Sequence, residues 1–416
     1  MAKLSEVFEL VPLSADRLSD VLELDTWAFP SGDSTDDLLT APNPLPWDRT
    51  FGITTGGRSE LAALHASYPF SNCPVPGGRT KAAGLTWVAV HPQYRRRGLL
   101  GAMIDAHFQH CRERGEAISI LTASEPAIYG RFGYGLATRG VHVTIPRRAA
   151  LRTAQGTDDL TVRFETVDPP RHGDMVGRLH AAVERPAWVT RETPELAAVW
   201  LSDVPVYRHG REPLRILIAE RSEEAVGYAL FRRNLDWADA GPQGLVKVAE
   251  VVADDPAVAH VLWSRLLDID LTTAVEVGML TTDDALLTLL VDVRAAQPKV
   301  RDNVWARIVD LPTALAARRY QARLDVVLAV SDELLPGNAG SWRLFAEPFG
   351  HAVVERTEAE PDLALDVREL GAAYFAGTSL SELASAGLVE ELRPGTLLPC
   401  AAAFGWPVAP GSSWIF

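Results

Sequence analysis

The sequence predicts a mixed fold of α/β and α+β parts that is divided into three domains. With 416 residues, 47% of them apolar, the chain is too long for one ordinary core and has enough apolar side chains to fill several. Short strands alternate with amphipathic helices as far as Val304, and after Pro312 a strand meander followed by helices replaces that order. The predicted domains are residues 1–150, 151–308 and 309–416.

The first domain is predicted to begin with a strand over residues 8–12 and a helix that starts near Ser14 and ends before Pro30. Strands are predicted over residues 60–68 and 81–90, with a Pro/Gly loop at 71–78, and a strand over 141–146 closes the domain. The segment after the first helix carries the carboxylates of Asp33, Asp36 and Asp37. It has two interpretations, an acidic loop that faces an acceptor amine or a solvated turn with a helix cap.

A basic turn between a strand and a helix is the most informative feature of the first domain. Val88 and Val90 alternate as in a half-buried strand, Pro92 ends it, and Arg95-Arg96-Arg97-Gly98 leads into an apolar helix. Free backbone N–H groups at a helix N-terminus favour an anion, and Gly98 lets a phosphate approach the backbone closely. Arginine adds forked hydrogen bonds that suit a pyrophosphate. The glycine spacing of a Walker loop or a Rossmann fingerprint is missing, and taken alone the turn is equally compatible with a basic surface helix.

A second motif follows one strand later and reads S-E-P-A-I-Y-G-R-F-G-Y-G over residues 124–135. Pro126 suits the first turn of a helix, and Glu125 before it is either a helix cap or part of a ligand site. Tyr134 is predicted to be an aromatic anchor of the core. Trp87, just before the basic turn, lines an acceptor cleft or is buried in the core, and both alternatives stay open.

The chain end is also unusual. Residues 400–416 carry no charged side chain and finish on Trp414-Ile415-Phe416, whereas termini are normally polar and frayed. We therefore expect this tail to be docked inside the protein. Docking would bury an α-carboxylate, and desolvation would raise its pKa from roughly 3.5 toward that of a usable base.

Taken together, V-A-V-x-P-x-x-R-R-R-G-L-L, S-E-x-x-I-Y-G-R-F-G-Y-G and the terminal aromatic residue resemble the enhanced intracellular survival (Eis) family of GCN5-related N-acetyltransferases. The wider superfamily has Q/R-x-x-G-x-G/A in its coenzyme loop, and Leu100 departs from that pattern as family members do. The resemblance is strong over the N-terminal third and extends to the length and layout of the rest. It implies that acetyl-CoA, the co-substrate, is bound by Val88, Ala89, Val90, Arg96, Arg97, Gly98, Leu99, Leu100, Gly101, Ser124 and Glu125.

The resemblance also implies a reaction, in which the main-chain carboxylate of Phe416 is the general base and Tyr129 is the general acid for the departing thiolate. The expected function is transfer of an acetyl group to a primary amine of a cationic acceptor, such as an aminoglycoside or a lysine side chain, and the family is associated with hexamers. Ile415 stands where an acidic residue would help to hold a polycation, which weakens the expectation of an aminoglycoside. The alternative is a non-catalytic protein that senses acyl-CoA or another small molecule.

The remaining domains are predicted from spacing. Residues 160–268 repeat the strand and helix order of the first domain, but Asp254 and Asp255 stand where the arginines stood and would repel a pyrophosphate. We therefore expect a second acetyltransferase-like domain without a coenzyme site, which builds walls of the acceptor pocket. The last domain resembles the sterol-carrier-like domain of the same family.

Composition restricts the partners. A net charge of −14 argues against nucleic acid and suits a cationic substrate. No long apolar run or signal pattern is present, so we expect no membrane partner and a cytoplasmic protein. Three widely separated cysteines predict no disulfide framework. His107, His110 and Cys111 have no fourth ligand nearby in the sequence, so no metal is predicted.

Overall fold

A computed structural model of the protein describes residues 7–30, 32–56 and 60–416. The first six residues of the predicted first domain, Ser31 of the acidic segment and residues 57–59 lie outside the described residues. The described part contains two seven-stranded sheets, a five-stranded sheet and a small two-stranded hairpin.

The N-terminal part of the chain supplies most of the first sheet. Its elements are β1 (Phe8–Pro12), α1 (Leu18–Ala28), α2 (Thr35–Leu38), β2 (Thr50–Thr55), β3 (Leu61–Val75), β4 (Gly78–Val90), α3 (Leu99–Arg114), β5 (Ile118–Leu121) and β6 (Gly135–Leu136). The loop predicted at residues 71–78 is wrong, because β3 and β4 pair almost to the turn between them. Gly77 adopts the left-handed conformation (φ 63°) that a tight turn requires, and a bulge between Phe70 and Cys73 takes up the irregular stretch.

The second sheet follows in the chain. Its part of the chain contains β7 (Arg139–Pro146), β8 (Leu160–Thr166), α4 (Pro169–Ala181), α5 (Pro194–Trp200), α6 (Pro205–Arg208), β9 (Arg215–Arg221), β10 (Glu224–Asn234), β11 (Trp237–Ala238), β12 (Gly241–Pro242), β13 (Gly244–Ala253), α7 (Pro256–Leu267), β14 (Thr272–Thr281), α8 (Ala285–Leu289) and β15 (Lys299–Asp302). The unit β13–α7–β14 is parallel, as is β4–α3–β5 in the first sheet. The predicted repeat is therefore present in the topology.

The two sheets exchange strands across the predicted boundaries. The strand expected to close the first domain, β7, lies in the second sheet between β15 and β14, whereas β16 (Trp305–Ile308) lies in the first sheet between β5 and β6. Buried Ala306 and Ile308 complete the core there. Residues 150 and 308 therefore do not separate the sheets, because a strand's own pattern does not specify which edge it pairs with.

The C-terminal part forms the five-stranded sheet. It contains α9 (Leu311–Ala317), β17 (Leu324–Ser331), β18 (Gly340–Ala346), β19 (Ala352–Arg356), β20 (Leu363–Asp366), α10 (Val367–Ala373), α11 (Leu380–Ser385), β21 (Val389–Glu391) and α12 (Leu397–Phe404). One apolar core joins this sheet to the first sheet and to the chain end, and it includes Phe70, Leu328, Trp414 and Phe416. The tail is therefore part of the core, as predicted from its composition.

Candidate active site

The first sheet opens where β4 and β5 separate. These parallel strands pair from Ala82↔Ile118 to Gly84↔Ile120, and β4 then continues to Val90 with β3 as its partner. A bulge interrupts that second pairing, because Trp87 has φ 52° and the register shifts opposite His65. A cavity of about 780 Å³ lies at the opening, and Val88, Ala89 and Val90 line one side of it.

The basic turn and the start of α3 form another side of this cavity. Gly98 precedes the helix in the left-handed conformation (φ 79°), and nothing lies within 4 Å of the place where a Cβ would stand. The first helical hydrogen bond runs from the N–H of Ala102 to the carbonyl of Gly98, at 3.1 Å. The amides of Leu99, Leu100 and Gly101 precede that bond and belong to residues that line the cavity. This is the geometry of an anion site at a helix N-terminus.

The arginines of the turn are not equivalent. Arg95 and Arg96 line the cavity, whereas the lining does not include Arg97. The guanidinium carbon of Arg97 lies instead 5.7 Å from the ring centroid of Tyr94. Arg96, rather than Arg97, is therefore the better positioned of the two predicted phosphate ligands.

Tyr129 lies on a short 3-10 helix, Pro126–Phe132, and lines the same cavity as this turn. Glu125 occupies the position before the helix without a side-chain capping bond, and it lines the cavity together with Ser124 and Tyr129. Burial, reinforced by the negative charge of Glu125, raises the pKa of Tyr129 to about 12. The phenol therefore carries its proton at neutral pH and is a proton donor.

Buried residues from other parts of the chain support the segment that carries Tyr129. Arg307 Nε donates to the carbonyl of Phe132 at 2.9 Å, and Arg307 also pairs with Asp332 at 2.7 Å with both side chains fully buried. Tyr134 is completely buried, packs edge-on against Tyr129 at 5.9 Å and shares a 2.7 Å hydrogen bond with Ser119. Its predicted role as a core anchor is confirmed.

The chain end enters the same cavity. Phe416 is 7% exposed, and its ring packs edge-on against Phe70 with centroids 5.0 Å apart. The hydroxyl of Thr122, just after β5, donates to a carboxylate oxygen of Phe416 at 2.8 Å and accepts from its N–H at 3.3 Å. The predicted docking of the tail is confirmed, and Phe416 lines the same cavity as the basic turn.

Family models match three parts of the chain. Acetyltransferase (GNAT) domain models match residues 9–137 and residues 183–308, and a sterol carrier protein domain model matches residues 311–411. The predicted architecture, two acetyltransferase domains and a sterol-carrier-like domain, is thereby confirmed.

Whole-chain comparisons identify the family. An uncharacterized N-acetyltransferase from Streptomyces avermitilis is 41% identical over 368 residues, which cover 87% of this chain and 88% of that protein. N-acetyltransferase Eis from Mycobacterium tuberculosis is 31% identical over 379 residues, 87% of each chain. This chain belongs to the Eis family of N-acetyltransferases. The crystal structure of Eis1 from Mycobacterium abscessus matches 99% of the Eis-family chain described here and 100% of its own, with a TM-score of 0.81 and 28% identity.

An acidic residue of the Eis-family cavity was missed at the level of sequence. Asp25, on α1, lines the cavity, and its burial raises the pKa of the carboxyl group to about 6. Its position carried a signal, because residue 25 follows the buried Val21 and Leu22 at the spacing of one helical turn. A carboxylate on the apolar stripe of a helix indicates a function other than solvation.

The acidic segment after α1 does not supply such a group. Ser34 and Asp37 form a reciprocal helix cap, in which Ser34 accepts from the N–H of Asp37 and Asp37 accepts from the N–H of Ser34. Asp33, Asp36 and Asp37 are absent from the lining of the cavity. Trp87, by contrast, lines it and donates from Nε1 to the hydroxyl of Tyr68 at 3.2 Å.

The second domain does not form the pocket walls that were predicted for it. Among the residues that the structure describes, those that line the cavity fall between residues 25 and 132 or are Ile415 and Phe416. At the start of α7, Asp255 accepts from the N–H of Val258 at 2.9 Å and pairs with Arg221 at 2.8 Å. The helix N-terminus that corresponds to the basic turn is therefore occupied by the chain's own carboxylate.

The described residues form neither a metal-binding cluster nor a membrane-spanning helix. Within residues 7–30, 32–56 and 60–416, no group of three or more His, Cys, Asp or Glu side chains could hold a metal ion. Buried His107 instead lies 2.8 Å from the hydroxyl of Ser119 and 3.5 Å from the sulfur of Cys111. Among the described helices, none is long and apolar enough to span a membrane.

Proposed function

We propose that this chain transfers the acetyl group of acetyl-CoA to a primary amine of a cationic acceptor by direct attack in a ternary complex. One observation supports this above the others. A protonated phenol, a terminal carboxylate and the open N-terminus of α3 all line one cavity. These are the proton donor, the proton acceptor and the anion site that such a transfer needs.

The coenzyme diphosphate would bind at the basic turn. The amides of Leu99, Leu100 and Gly101 and the guanidinium of Arg96 supply hydrogen-bond donors to its oxygens. The pantetheine chain would follow the edge of β4 beyond Gly84, where the strand is no longer paired with β5. Its amides can then bond to that edge as an added strand does, and a backbone N–H of residues 88–90 would polarise the thioester carbonyl.

The Phe416 carboxylate would accept the proton that the attacking amine loses, directly or through water. It lies at the cavity wall, where Thr122 and the ring contact with Phe70 hold it. The Tyr129 phenol would return a proton to the coenzyme sulfur as the thiolate departs. The ring of Phe416 thus anchors the chain end, and its main-chain carboxylate would act as the proton acceptor.

The acceptor is proposed to be cationic because two carboxylates, Asp25 and Glu125, line the cavity. The net charge of −14 favours the approach of a cation. Beside the terminus, Ile415 is 73% exposed and also lines the cavity, so that wall presents an apolar surface. A lysine side chain, with one charge on an apolar stem, fits this mixture better than a polycationic aminoglycoside.

Thiol release from acetyl-CoA tests this function. The release is measured without an acceptor and with a lysine-containing peptide, an aminoglycoside or a neutral primary amine, and the products are checked by mass for an added acetyl group. We expect release to increase with the cationic amines, most with the lysine peptide. No increase with any amine would contradict the proposed transfer.

A second experiment tests the proposed base. Residues appended after Phe416 keep its ring but convert its carboxylate to an amide. Turnover should fall by about 10² or more, the contribution typical of a general base, with acetyl-CoA binding retained. Phe416→Leu keeps a terminal carboxylate and should stay active. A C-terminally extended protein that acetylates amines at the native rate would exclude this base.

A further inference from the structure

The second domain contacts the tail just before the terminal carboxylate. Glu250, near the end of β13, accepts a 2.6 Å hydrogen bond from the hydroxyl of Ser413, three residues before Phe416. The Glu250 side chain is completely shielded from solvent, and Ser413 is 5% exposed. Residues beyond Ser413 are held as well, since Trp414 Nε1 donates to the carbonyl of Val189 at 2.8 Å.

Glu250 is ionised and fully engaged. Burial alone would raise its pKa, but the positive charge of Arg191 and hydrogen bonds hold the pKa at about 2. Arg191 lies 2.8 Å from Oε1, and the hydroxyl of Tyr228 donates to Oε2 at 2.6 Å. Oε1 therefore accepts from both the tail and Arg191, and Oε2 accepts from Tyr228 of its own domain.

This cluster is not a hydrolytic triad, although it contains Ser413, His180 and Glu250. In such a triad the carboxylate binds the imidazole nitrogen that faces away from the serine. Here the same nitrogen, Nε2 of His180, lies 3.0 Å from the Ser413 hydroxyl and 3.5 Å from Glu250. Glu250 also accepts the hydrogen bond of the serine hydroxyl directly, so the arrangement fixes the serine rather than activating it.

The tail runs through the opening of the second sheet. The parallel strands β13 and β14 pair as far as Val248↔Val277 and then separate, as β4 and β5 do in the first sheet. Beyond that point, Ser413 contacts Glu250 on one strand, and Gly411 packs so closely on Thr281 of the other that an added Cβ would lie 3.0 Å from its methyl group. The chain's own tail thus fills the place that corresponds to the coenzyme opening.

We propose that the opening of the second sheet is the docking site of the C-terminal tail, and that Glu250 is a positioning residue for acetyl transfer. Through Ser413 it holds the Phe416 carboxylate against Thr122 in the first domain. This inference rests on the proposed role of that carboxylate as the base. It gives the second domain, which adds no wall to the cavity, a role in the reaction.

Two single-hydroxyl variants form a matched pair for the test. Ser413→Ala and Tyr228→Phe each delete one 2.6 Å hydrogen bond to Glu250. Ser413 lies on the tail, whereas Tyr228 lies on β10 of the second domain. Carboxypeptidase A removes an accessible C-terminal aromatic residue, so the release of Phe416 measures undocking without reference to activity. Ser413→Ala should release Phe416 about tenfold faster than the wild type, the factor expected for one hydrogen bond to a charged group. Tyr228→Phe should release it at the wild-type rate.

Glu250→Gln extends the test to turnover. It should release Phe416 faster than Ser413→Ala does and lower kcat by about tenfold or more, with the KM for acetyl-CoA unchanged. Glu116→Gln, which removes a carboxylate from the buried pair with Arg49 outside the cavity, is the control and should change neither readout.

The outcomes separate this inference from the proposed function. Equal rates of Phe416 release from the wild type and Ser413→Ala would overturn the docking site. Equal acceleration of the release by Ser413→Ala and Tyr228→Phe would show that Glu250 contributes only to general packing and does not position the tail. Faster release with unchanged kcat in Glu250→Gln would overturn its positioning role. A C-terminally extended protein with full activity would instead exclude the proposed base, while the release assay still reports on docking.

Discussion

Replacing Asp25 by asparagine should stabilise the folded protein and weaken the binding of a cationic acceptor. The carboxyl group lines the cavity, and burial raises its pKa from the ordinary value of about 3.9 to about 6. Each tenfold change in an ionisation constant corresponds to about 1.4 kcal/mol. Keeping Asp25 ionised in the folded protein therefore costs up to about 3 kcal/mol at pH 7, and asparagine of nearly equal size avoids that cost.

The sign of this effect depends on pH. Because the folded protein holds the Asp25 proton more tightly than the unfolded chain does, the wild type loses stability as the pH rises from about 4 to about 6. The stability advantage of Asp25→Asn should therefore be largest above pH 6 and disappear near pH 4. The affinity for the acceptor should change with pH in the opposite direction and increase as the pH rises, since only the ionised carboxylate attracts the cation. Wild-type affinity should fall about tenfold from pH 7 to pH 5, as the ionised fraction of a group with a pKa of about 6 drops.

Two measurements check this prediction. Denaturant unfolding at pH 7 and pH 4 compares the free energies of unfolding, and calorimetry at pH 7, 6 and 5 measures the affinity for an acetylatable cationic amine. Asp25→Asn should bind about tenfold more weakly at pH 7 and lose the pH dependence. Glu23→Gln, on the exposed side of the same helix, is the control. An Asp25→Asn protein that is no more stable at pH 7, or that binds the amine as the wild type does, would refute the reasoning.

Three further results are expected. Arg96→Ala should weaken acetyl-CoA binding well over tenfold, and Arg97→Ala should weaken it less, because Arg96 lines the cavity and Arg97 does not; equal losses by calorimetry would contradict the geometry. Tyr129→Phe should lower kcat by about 10² without changing coenzyme affinity or the free energy of unfolding, and a fully active variant would remove this phenol from the mechanism. Because Asp254 and Asp255 stand at the start of α7, titration should give one acetyl-CoA per chain, and two equivalent sites would refute that interpretation.

Features that depend on neighbouring residues were predictable. The basic turn, its glycine and the start of α3 form one continuous stretch, so the anion site at the helix N-terminus follows from local rules. The helix cap at Asp255 was not predicted, although an aspartate before Pro256 fits the same rules. The docking of the tail followed from composition, because an uncharged aromatic chain end is costly to leave in water.

Features that depend on partners were not predictable in this way. The strand over residues 141–146 was recognised, but its place in the second sheet was not, because the pattern of a strand is the same at either edge. The helical spacing of Asp25 showed which face of α1 it shares, but not that this face borders the cavity. The predicted hexamer, the acceptor and the domain boundaries as functional units stay predictions.

The sequence by itself determined the family, the coenzyme-type turn, the position of Tyr129 in its motif and the burial of an apolar chain end. Each of these depends on residues that are adjacent in the sequence, because backbone preferences and side-chain polarity act over only a few residues. Only the tertiary structure decided that Phe416 meets Thr122, 294 positions earlier, and that Glu250 holds the tail three residues before it. Such contacts arise when separate sheets pack against one another and pair the polar groups they bury. No local pattern specifies that choice of partners.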